Sequence, residues 1–207
     1  MMNDPIEYEE KQKYKRVWAD PRYRKVSPGE VSGVDRFLDG FPDAEGTVID
    51  MGCGTGRAAA LLMKVEGLNV IPLDHVRNCI DSDLREQLEP VFFKACLWKL
   101  PGSLQKAEHV FCCDVMEHIP EEKVEQVLRN IAAKCTVGGL FQISTAKDSM
   151  GPKIIGEHLH LTIRTAKWWK EQLEQFFTIR SEEISDKEAS FVVDIDTTNT
   201  QGVSENG

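Results

Sequence analysis

Short apolar stretches alternate along the chain with stretches whose apolar residues recur at helical spacing. Apolar runs bounded by turn residues predict strands, and these lie at residues 47–50, 68–74, 91–95, 109–114, 140–144, 178–184 and 190–195. Apolar residues three or four positions apart predict helices at residues 58–65, in the stretch that Pro120 opens, and at 168–177. Gly138 and Gly139 are expected to break the chain before the fifth strand. The pattern therefore predicts an α/β domain.

The ends of three predicted strands carry acidic residues. Strands that alternate with helices form a parallel sheet covered on both faces. Such sheets bind ligands beyond the carboxyl ends of their strands, where the strand order reverses. Asp50, Asp74 and Asp114 each stand at such an end, so we expect three carboxylates on one rim of the sheet.

Length and charge set limits on the class of protein. The 207 residues have room for one full-sized domain, and no apolar run approaches the ~20 residues that span a bilayer. The N-terminus lacks the layout of a signal peptide, so we expect a cytoplasmic protein with no membrane partner. The net charge of −9 argues against a globally basic nucleic-acid binder. Basic residues do crowd the first 25 positions, either as a solvated helix face or as an anion site.

The six cysteines predict neither a disulfide framework nor a zinc site. None of them forms a Cys-x-x-Cys pair, which is the usual spacing of structural zinc ligands. Several stand among apolar residues, as reduced core cysteines do. No metal is therefore predicted.

A glycine-rich loop follows the first predicted strand, with the sequence Asp50-Met51-Gly52-Cys53-Gly54-Thr55-Gly56. Its bare backbone lets a ligand approach closely, and the helix that follows offers unpaired N–H groups. The dinucleotide pattern Gly-x-Gly-x-x-Gly fails here because its third glycine is replaced by Arg57. The Gly-Lys-Ser/Thr of a mononucleotide loop is absent too.

The stretch Val48-Ile49-Asp50-Met51-Gly52-Cys53-Gly54-Thr55-Gly56 resembles the first motif of class I S-adenosylmethionine-dependent methyltransferases. The resemblance continues through the later motifs in order, over residues 47–195. It implies a Rossmann-like, three-layer α/β/α sandwich with a mostly parallel seven-stranded sheet and an antiparallel last strand. It also implies S-adenosyl-L-methionine as cofactor, with S-adenosyl-L-homocysteine as product.

The resemblance assigns cofactor contacts along the chain. The glycine loop would run under the methionine and ribose parts, and Asp74 would accept hydrogen bonds from the ribose diol. Cys96 stands where the family often has an acidic residue, so adenine recognition would fall to the backbone at Cys96 and Leu97. The predicted contacts are Asp50, Gly52, Cys53, Gly54, Asp74, His75, Cys96, Leu97, Asp114 and Val115.

Histidines are the candidate catalytic residues. Glu117 and His118 stand in Asp114-Val115-Met116-Glu117-His118, which resembles the family's fourth motif, and they would begin the loop beside the transferable methyl group. His158 and His160 alternate after the fifth strand, where family members often carry a histidine close to the acceptor. A general base helps only if the acceptor must lose a proton, and the sequence does not choose among these three histidines. A metal would need a third ligand, which only Asp114 or Glu117 could supply in space.

The methyl acceptor is predicted by exclusion. The chain contains no Asn/Asp-Pro-Pro-aromatic motif and no Pro-Cys pair, which argues against enzymes that methylate nucleic-acid bases. A small-molecule or sugar-type acceptor with an O or N nucleophile is favoured. The alternatives are a nucleic-acid or protein acceptor held by the basic N-terminal stretch, and a non-catalytic cofactor-binding subunit.

The chain is predicted to divide into three parts. Residues 1–30 form a helical arm that acts either as a lid over the cofactor or as a plain packing helix. Residues 31–196 form the methyltransferase domain. Residues 197–207 are polar and predicted to be a disordered tail. The oligomeric state is not predicted.

Overall fold

The computed structural model describes residues 4–25 and 27–196, and a seven-stranded sheet runs through the middle of them. Its strand order is β3-β2-β1-β4-β5-β7-β6. The first five strands pair in parallel, whereas β7 runs antiparallel to both of its neighbours. The strands are β1 Gly46–Met51, β2 Leu68–Asp74, β3 Phe93–Lys94, β4 Ala107–Cys113, β5 Cys135–Ser144, β6 Phe177–Ile184 and β7 Glu188–Ile195. The Rossmann-like sandwich with an antiparallel last strand is confirmed.

Helices cover both faces of this sheet. They are α1 Pro5–Val17, α2 Val34–Gly40, α3 Arg57–Leu62, α4 Arg85–Leu88, α5 Glu121–Lys134, α6 Met150–Ile154 and α7 Ala166–Leu173. Single 3-10 turns lie at Tyr23–Lys25, Arg77–Cys79 and Met116–His118, and a π-helical turn at Gly29–Gly33 leads directly into α2. Among the described residues, no helix is both long and apolar enough to cross a membrane. The predicted tail, residues 197–207, lies outside the described residues.

Two apolar cores lie on opposite faces of the sheet. Successive strand residues point to opposite faces, and Val48 accordingly belongs to one core while Ile49 belongs to the other. The apolar stripe of α5 packs with Trp169 of α7 on one face. Phe37 of α2 and Leu62 of α3 pack on the other face, together with α1. The predicted layers are therefore present. Because the helices cover the two faces, the carboxyl edge of the sheet is where a ligand site is expected.

Several predicted boundaries need correction. The predicted helix at 168–177 spans Ala166–Leu173, because the Thr165 side chain caps its start and β6 begins at Phe177. The strand predicted at 91–95 is paired only at Phe93–Lys94. Pro120 is the N-cap of α5, which begins one residue later.

The predicted chain break at Gly138 and Gly139 is wrong, because β5 runs through both glycines. A Cβ on Gly139 would lie 2.1 Å from the carbonyl oxygen of Val110, and one on Gly138 would lie 2.2 Å from that of Val193. These glycines therefore allow the backbones of the neighbouring strands to approach, which is a packing requirement rather than a turn signal.

Replacing Gly139 with Ala should destabilise the protein by about 1–3 kcal/mol, because the methyl group would collide with the backbone of β4. Gly102→Ala is the matched control, since a Cβ there meets nothing within 4 Å, and its free energy of unfolding should change by less than about 0.5 kcal/mol. Urea unfolding measures both. Equal stability of the two variants would contradict the packing role of Gly139.

Candidate active site

The predicted acidic rim forms at the carboxyl edge of the sheet. Strand β1 pairs with β2 on one side and with β4 on the other. Asp50 lies near the end of β1, Asp74 ends β2, and Asp114 directly follows β4. Neighbouring parallel strands therefore bring the three carboxylates to one edge, as the sequence predicts.

The glycine loop between β1 and α3 is tied to the end of β2. The N–H groups of Gly52 and Cys53 both donate to the carbonyl of Leu73, at 2.8 and 2.9 Å. The N–H of Gly54 donates to Oδ2 of Asp74 at 3.2 Å. Gly52 and Gly54 have φ values of 83° and 50°, a left-handed conformation that favours glycine. The loop therefore curls over the rim and is held there by the backbone and carboxylate of β2.

Asp50 and Asp74 are buried carboxyl groups with different hydrogen bonding. Asp74 accepts from the N–H groups of Gly54 and Val76, and burial raises its pKa. Asp50 is only 3% exposed, and its Oδ2 has no hydrogen-bond partner among the described residues. Burial, followed by the charge of Asp74, raises the pKa of Asp50 to about 8. A cationic ligand group at this rim would give Oδ2 of Asp50 a partner and would lower the pKa of Asp50.

Two adjoining cavities open above the rim. With the open space at their mouths included, the first has a volume of about 640 Å³ and the second of about 970 Å³. Both volumes lie within the range of known ligand pockets. Trp18, Tyr23, Gly52, Asp114 and His118 line both cavities. A ligand that runs from one cavity into the other would therefore pass Asp114 and His118.

The predicted cofactor residues all line one cavity or the other. The first cavity is lined by Gly52, Asp74, His75, Cys96, Leu97, Asp114 and Val115. The second is lined by Asp50, Gly52, Cys53, Gly54 and Asp114. His118 lines both cavities and His160 lines the second, whereas the side chain of His158 is 62% exposed and lines neither.

The N-terminal segment forms the outer wall of these cavities. Tyr14, Trp18 and Tyr23 line the first cavity, and the Trp18 ring lies 3.1 Å from the position of a Cβ on Gly54. Arg24 fixes this segment by donating to the carbonyl of Cys79 at 2.7 Å and to the carboxylate of Asp81 at 2.9 Å.

The predicted boundary at residue 30 falls within the π-helical turn Gly29–Gly33, and the division into arm and domain stays a prediction.

The loop after β4 is pinned to its surroundings by Glu117. Its Oε1 accepts from the N–H of Ser144 at 2.7 Å, and its carbonyl accepts from the N–H groups of Leu161 and Thr162 at 2.8 and 3.0 Å. Burial, followed by the charge of Asp114, raises the pKa of Glu117 well above its ordinary value. Asp114 has a φ of 59° and is the one described non-glycine residue with a positive φ. The loop thus holds two carboxyl groups in place at a strained turn.

His118 and His160 meet beside this loop. Their ring centroids lie 4.8 Å apart with the planes nearly perpendicular. Nδ1 of His118 is 2.6 Å from the Tyr14 hydroxyl and 3.1 Å from the carbonyl of Leu159, while Nδ1 of His160 is 2.6 Å from the carbonyl of Ala146. A carbonyl only accepts, so the Ala146 contact assigns the proton of His160 to Nδ1 and leaves its Nε2 as an acceptor. The Leu159 carbonyl favours the same tautomer for His118, in which the Tyr14 hydroxyl accepts from Nδ1–H. Burial lowers the pKa of His118 to about 4, so this ring is neutral at pH 7.

Sequence reasoning missed two features of the site. The Tyr14–His118 hydrogen bond joins residues 104 positions apart, and no local pattern reports such a pairing. Asp148 lines the second cavity and accepts from the N–H groups of Met150, Gly151 and Leu159. An aspartate shortly before a helix is a capping signal, which could have marked this residue.

The fold and the glycine loop above an acidic rim define the chain as a class I methyltransferase in architecture. The chain belongs to the methyltransferase-domain family, whose match covers residues 18–185. The resemblance predicted from the motifs is confirmed by this match. No curated protein is significantly similar to the chain in sequence.

Solved structures share this fold at low sequence identity. The 1,6-didemethyltoxoflavin-N1-methyltransferase of Burkholderia thailandensis is 18% identical with a TM-score of 0.71, over 94% of this chain and 92% of that chain. The N-methyltransferase NodS of Bradyrhizobium japonicum is 12% identical with a TM-score of 0.64, over 89% and 97%. Magnesium protoporphyrin IX methyltransferase from Synechocystis is 16% identical with a TM-score of 0.61, over 92% and 96%. At these identities the likeness is one of fold.

Stability should depend on pH through Asp50. The folded protein keeps a proton on Asp50 up to about pH 8, whereas the unfolded chain releases it near the ordinary pKa of 3.8. The free energy of unfolding should therefore fall as pH rises through this window. Asp50→Asn removes this contribution, so its stability should fall less between about pH 5 and pH 8.

Urea unfolding at a series of pH values measures the effect. Asp39→Asn, at an exposed position of α2, is the matched control and should follow the unsubstituted protein. Identical pH profiles for Asp50→Asn and the unsubstituted protein would contradict the raised pKa.

Proposed function

We propose that the chain is an S-adenosylmethionine-dependent methyltransferase acting on an O or N nucleophile of a small-molecule acceptor. The observation that carries this proposal is the pair of adjoining cavities that meet at Asp114 and His118. The first cavity suits the nucleoside part of the donor. The second has room for the methionine part beside the glycine loop, and for an acceptor beside His160.

The residues present fit this cofactor. Asp74 is a buried acceptor at the position that suits a ribose diol, and Cys96, Leu97 and Trp98 provide buried apolar surface for an adenine. The Trp98 indole N–H is buried without a partner among the described residues. The unpartnered oxygen of Asp50 lies in the second cavity, where a ligand ammonium group would satisfy it. When bound, the cofactor supplies a methyl group on a cationic sulfur.

The protein's own contribution is positioning and proton acceptance. Displacement at a sulfonium carbon needs no acid, and alignment of the nucleophile can contribute ~7–11 kcal/mol. His118 and His160 line the acceptor side and each leaves Nε2 as an acceptor. They can therefore orient an O–H or N–H group and receive its proton. His158 lines neither cavity, so we leave it out of this role.

The charge distribution supports a small acceptor over a nucleic acid. Four basic side chains of the N-terminal segment are engaged in ion pairs: Lys13 with Glu10, Arg16 with Glu157, Arg22 with Asp20, and Arg24 with Asp81. Paired cations have less charge to offer to phosphates. Two structures of the same fold are named for small-molecule substrates, a didemethyltoxoflavin and a magnesium protoporphyrin.

We also propose that residues 1–30 act as a lid. Tyr14, Trp18 and Tyr23 stand between the cavities and solvent, and the Arg24–Asp81 ion pair fixes them to the rim. A ligand enclosed by this wall is shielded from water, which is a common use of such segments.

Asp74→Asn should weaken S-adenosylhomocysteine binding by about 1.5–3 kcal/mol, because it removes a charged acceptor from the ribose site. Calorimetry measures the affinity, and Asp83→Asn, at an exposed position outside both cavities, is the matched control. Unchanged affinity in Asp74→Asn would mean that the ribose site is wrongly assigned.

Methyl label from S-adenosylmethionine should appear in small molecules when the protein acts on an extract of its host. Ultrafiltration separates the labelled products by size, and nuclease or protease treatment identifies any macromolecular acceptor. Asp74→Asn serves as the control with impaired donor binding and should transfer less label. Label retained in RNA, DNA or protein would overturn the small-molecule proposal, and no transferred label at all would favour a non-catalytic subunit.

A further inference from the structure

Four potential metal ligands converge where the two cavities meet. Asp114, Glu117, His118 and His160 each offer one ligand atom, and these atoms all lie within 4.8 Å of one another. We call these four residues the His/carboxylate cluster. Three of them come from the loop after β4 and the fourth from the segment after α6, so tertiary structure alone brings the set together.

Both histidines have the hydrogen bonds that metal ligands usually have. A ligating imidazole generally donates its other ring N–H to a carbonyl or carboxylate, which fixes the tautomer and the ring orientation. His160 does this through Nδ1 to the carbonyl of Ala146 at 2.6 Å. His118 does it through Nδ1 to the carbonyl of Leu159 at 3.1 Å, and the Tyr14 hydroxyl can accept from the same N–H. Nε2 of each ring is thereby left to bind an ion.

Glu117 provides a second and independent observation. Its side chain is fully buried, Oε1 is held by the N–H of Ser144, and Oε2 has no partner among the described residues. A buried carboxylate oxygen without a donor or cation is costly. The neighbouring carboxylate of Asp114 adds repulsion, which a cation bound by both groups would relieve in place of a proton.

We propose that the His/carboxylate cluster binds one divalent first-row transition-metal ion. Two imidazoles favour ions such as Zn²⁺, Fe²⁺ or Co²⁺ over Mg²⁺ and Ca²⁺, which prefer oxygen ligands alone. Two carboxylates balance the charge of such an ion. Ligand atoms about 2.0–2.1 Å from a tetrahedral zinc ion lie about 3.3 Å from one another. The ligand atoms of the cluster, which lie within 4.8 Å of one another, would therefore move together by up to about 1.5 Å to close around one ion.

The ion's role rests on the proposed function, although its binding does not. At the acceptor side of the site, the ion would bind a hydroxyl or carboxylate oxygen of the acceptor as a Lewis acid. A bound hydroxyl would lose its proton to water more readily, and the resulting oxygen would form the new bond to the methyl carbon as the sulfur–methyl bond breaks. With the ion bound, the two histidines would act as its ligands instead of accepting the proton, and the acceptor class would narrow to molecules that present an oxygen.

Cobalt binding tests the proposal without any methyl acceptor. Metal-free protein titrated with Co²⁺ should develop d–d absorption at one equivalent, and Zn²⁺ should displace it whereas Mg²⁺ should not. His160→Ala and Glu117→Gln should weaken Co²⁺ binding at least about 10- to 100-fold. His158→Ala is the matched control, since this exposed histidine lies outside the cluster, and its affinity should be unchanged.

Other outcomes are equally decisive. Thiolate-to-metal charge-transfer absorption would place the ion at the buried Cys53, Asp74 and Cys79 group instead, and would overturn the assignment. So would equal Co²⁺ affinity in all three variants, or no Co²⁺ binding by the unsubstituted protein. Circular dichroism identifies a variant that fails to fold, and the spectrum of the unsubstituted protein then decides.

Calorimetry with S-adenosylhomocysteine separates this inference from the proposed function. Intact cofactor binding without metal binding would overturn the inference alone. Metal binding without cofactor binding would overturn the proposed function alone.

Discussion

Three carboxyl groups, those of Asp50, Asp74 and Glu117, are buried at the carboxyl edge of the sheet, and the backbone around them donates hydrogen bonds to only some of their oxygens. Asp74 receives two N–H groups and Glu117 receives one, whereas Oδ2 of Asp50 receives none among the described residues. Burial penalises the charged form of each of these three groups. Together with the partly buried Asp114 beside them, these incompletely paired groups carry the ligand sites proposed above.

The N-terminal segment depends on a separate ion pair at the same edge. Asp81 is buried and contacts both Arg24 and Arg57, at 2.9 and 2.7 Å. Removing one partner of a buried pair leaves an uncompensated charge, at a cost of about 3–5 kcal/mol when burial is complete. Both arginines remain partly exposed, so the cost here is smaller. Such an ion pair can hold the N-terminal segment, with Trp18 over the glycine loop, and is still weak enough for the proposed lid to open.

Local sequence signals predicted the layers of the fold and ten residues that line the two cavities. Strand ends and loop glycines are local features, and Asp50, Asp74 and Asp114 reached one rim because parallel strands place their carboxyl ends together. The third glycine of the dinucleotide pattern lets the helix pack closely on the strand. At that position this chain has Arg57, whose side chain pairs with Asp81. Gly138 and Gly139 were misinterpreted because a glycine required by neighbouring strands looks the same in sequence as one required by a turn.

Long-range pairings account for what the sequence did not predict. His158 and His160 stand two positions apart and were equal candidates in the sequence, yet one ring is exposed and the other contacts His118. The Tyr14–His118 hydrogen bond and the His/carboxylate cluster join segments that are far apart in the chain. The sequence named Asp114 and Glu117 as groups that could approach the histidines in space, but spacing rules detect ligands on one element. The four residues of the cluster come from two loops, which the backbone contacts of Glu117 with Leu161 and Thr162 hold together.

Both ligands proposed for the rim carry positive charge, and this makes their binding electrostatically linked. Asp114 lines both cavities and belongs to the His/carboxylate cluster, so an ion there reduces the negative potential that a sulfonium group experiences. S-adenosylhomocysteine has a neutral sulfur, so the reduced negative potential does not weaken the binding of its sulfur. An ion at the cluster therefore lowers the affinity for the donor more than the affinity for its product. Asp50 and Asp74 lie outside the cluster, and a cationic ligand group beside them would favour the charged forms of their carboxyl groups. That added negative charge offsets part of the penalty.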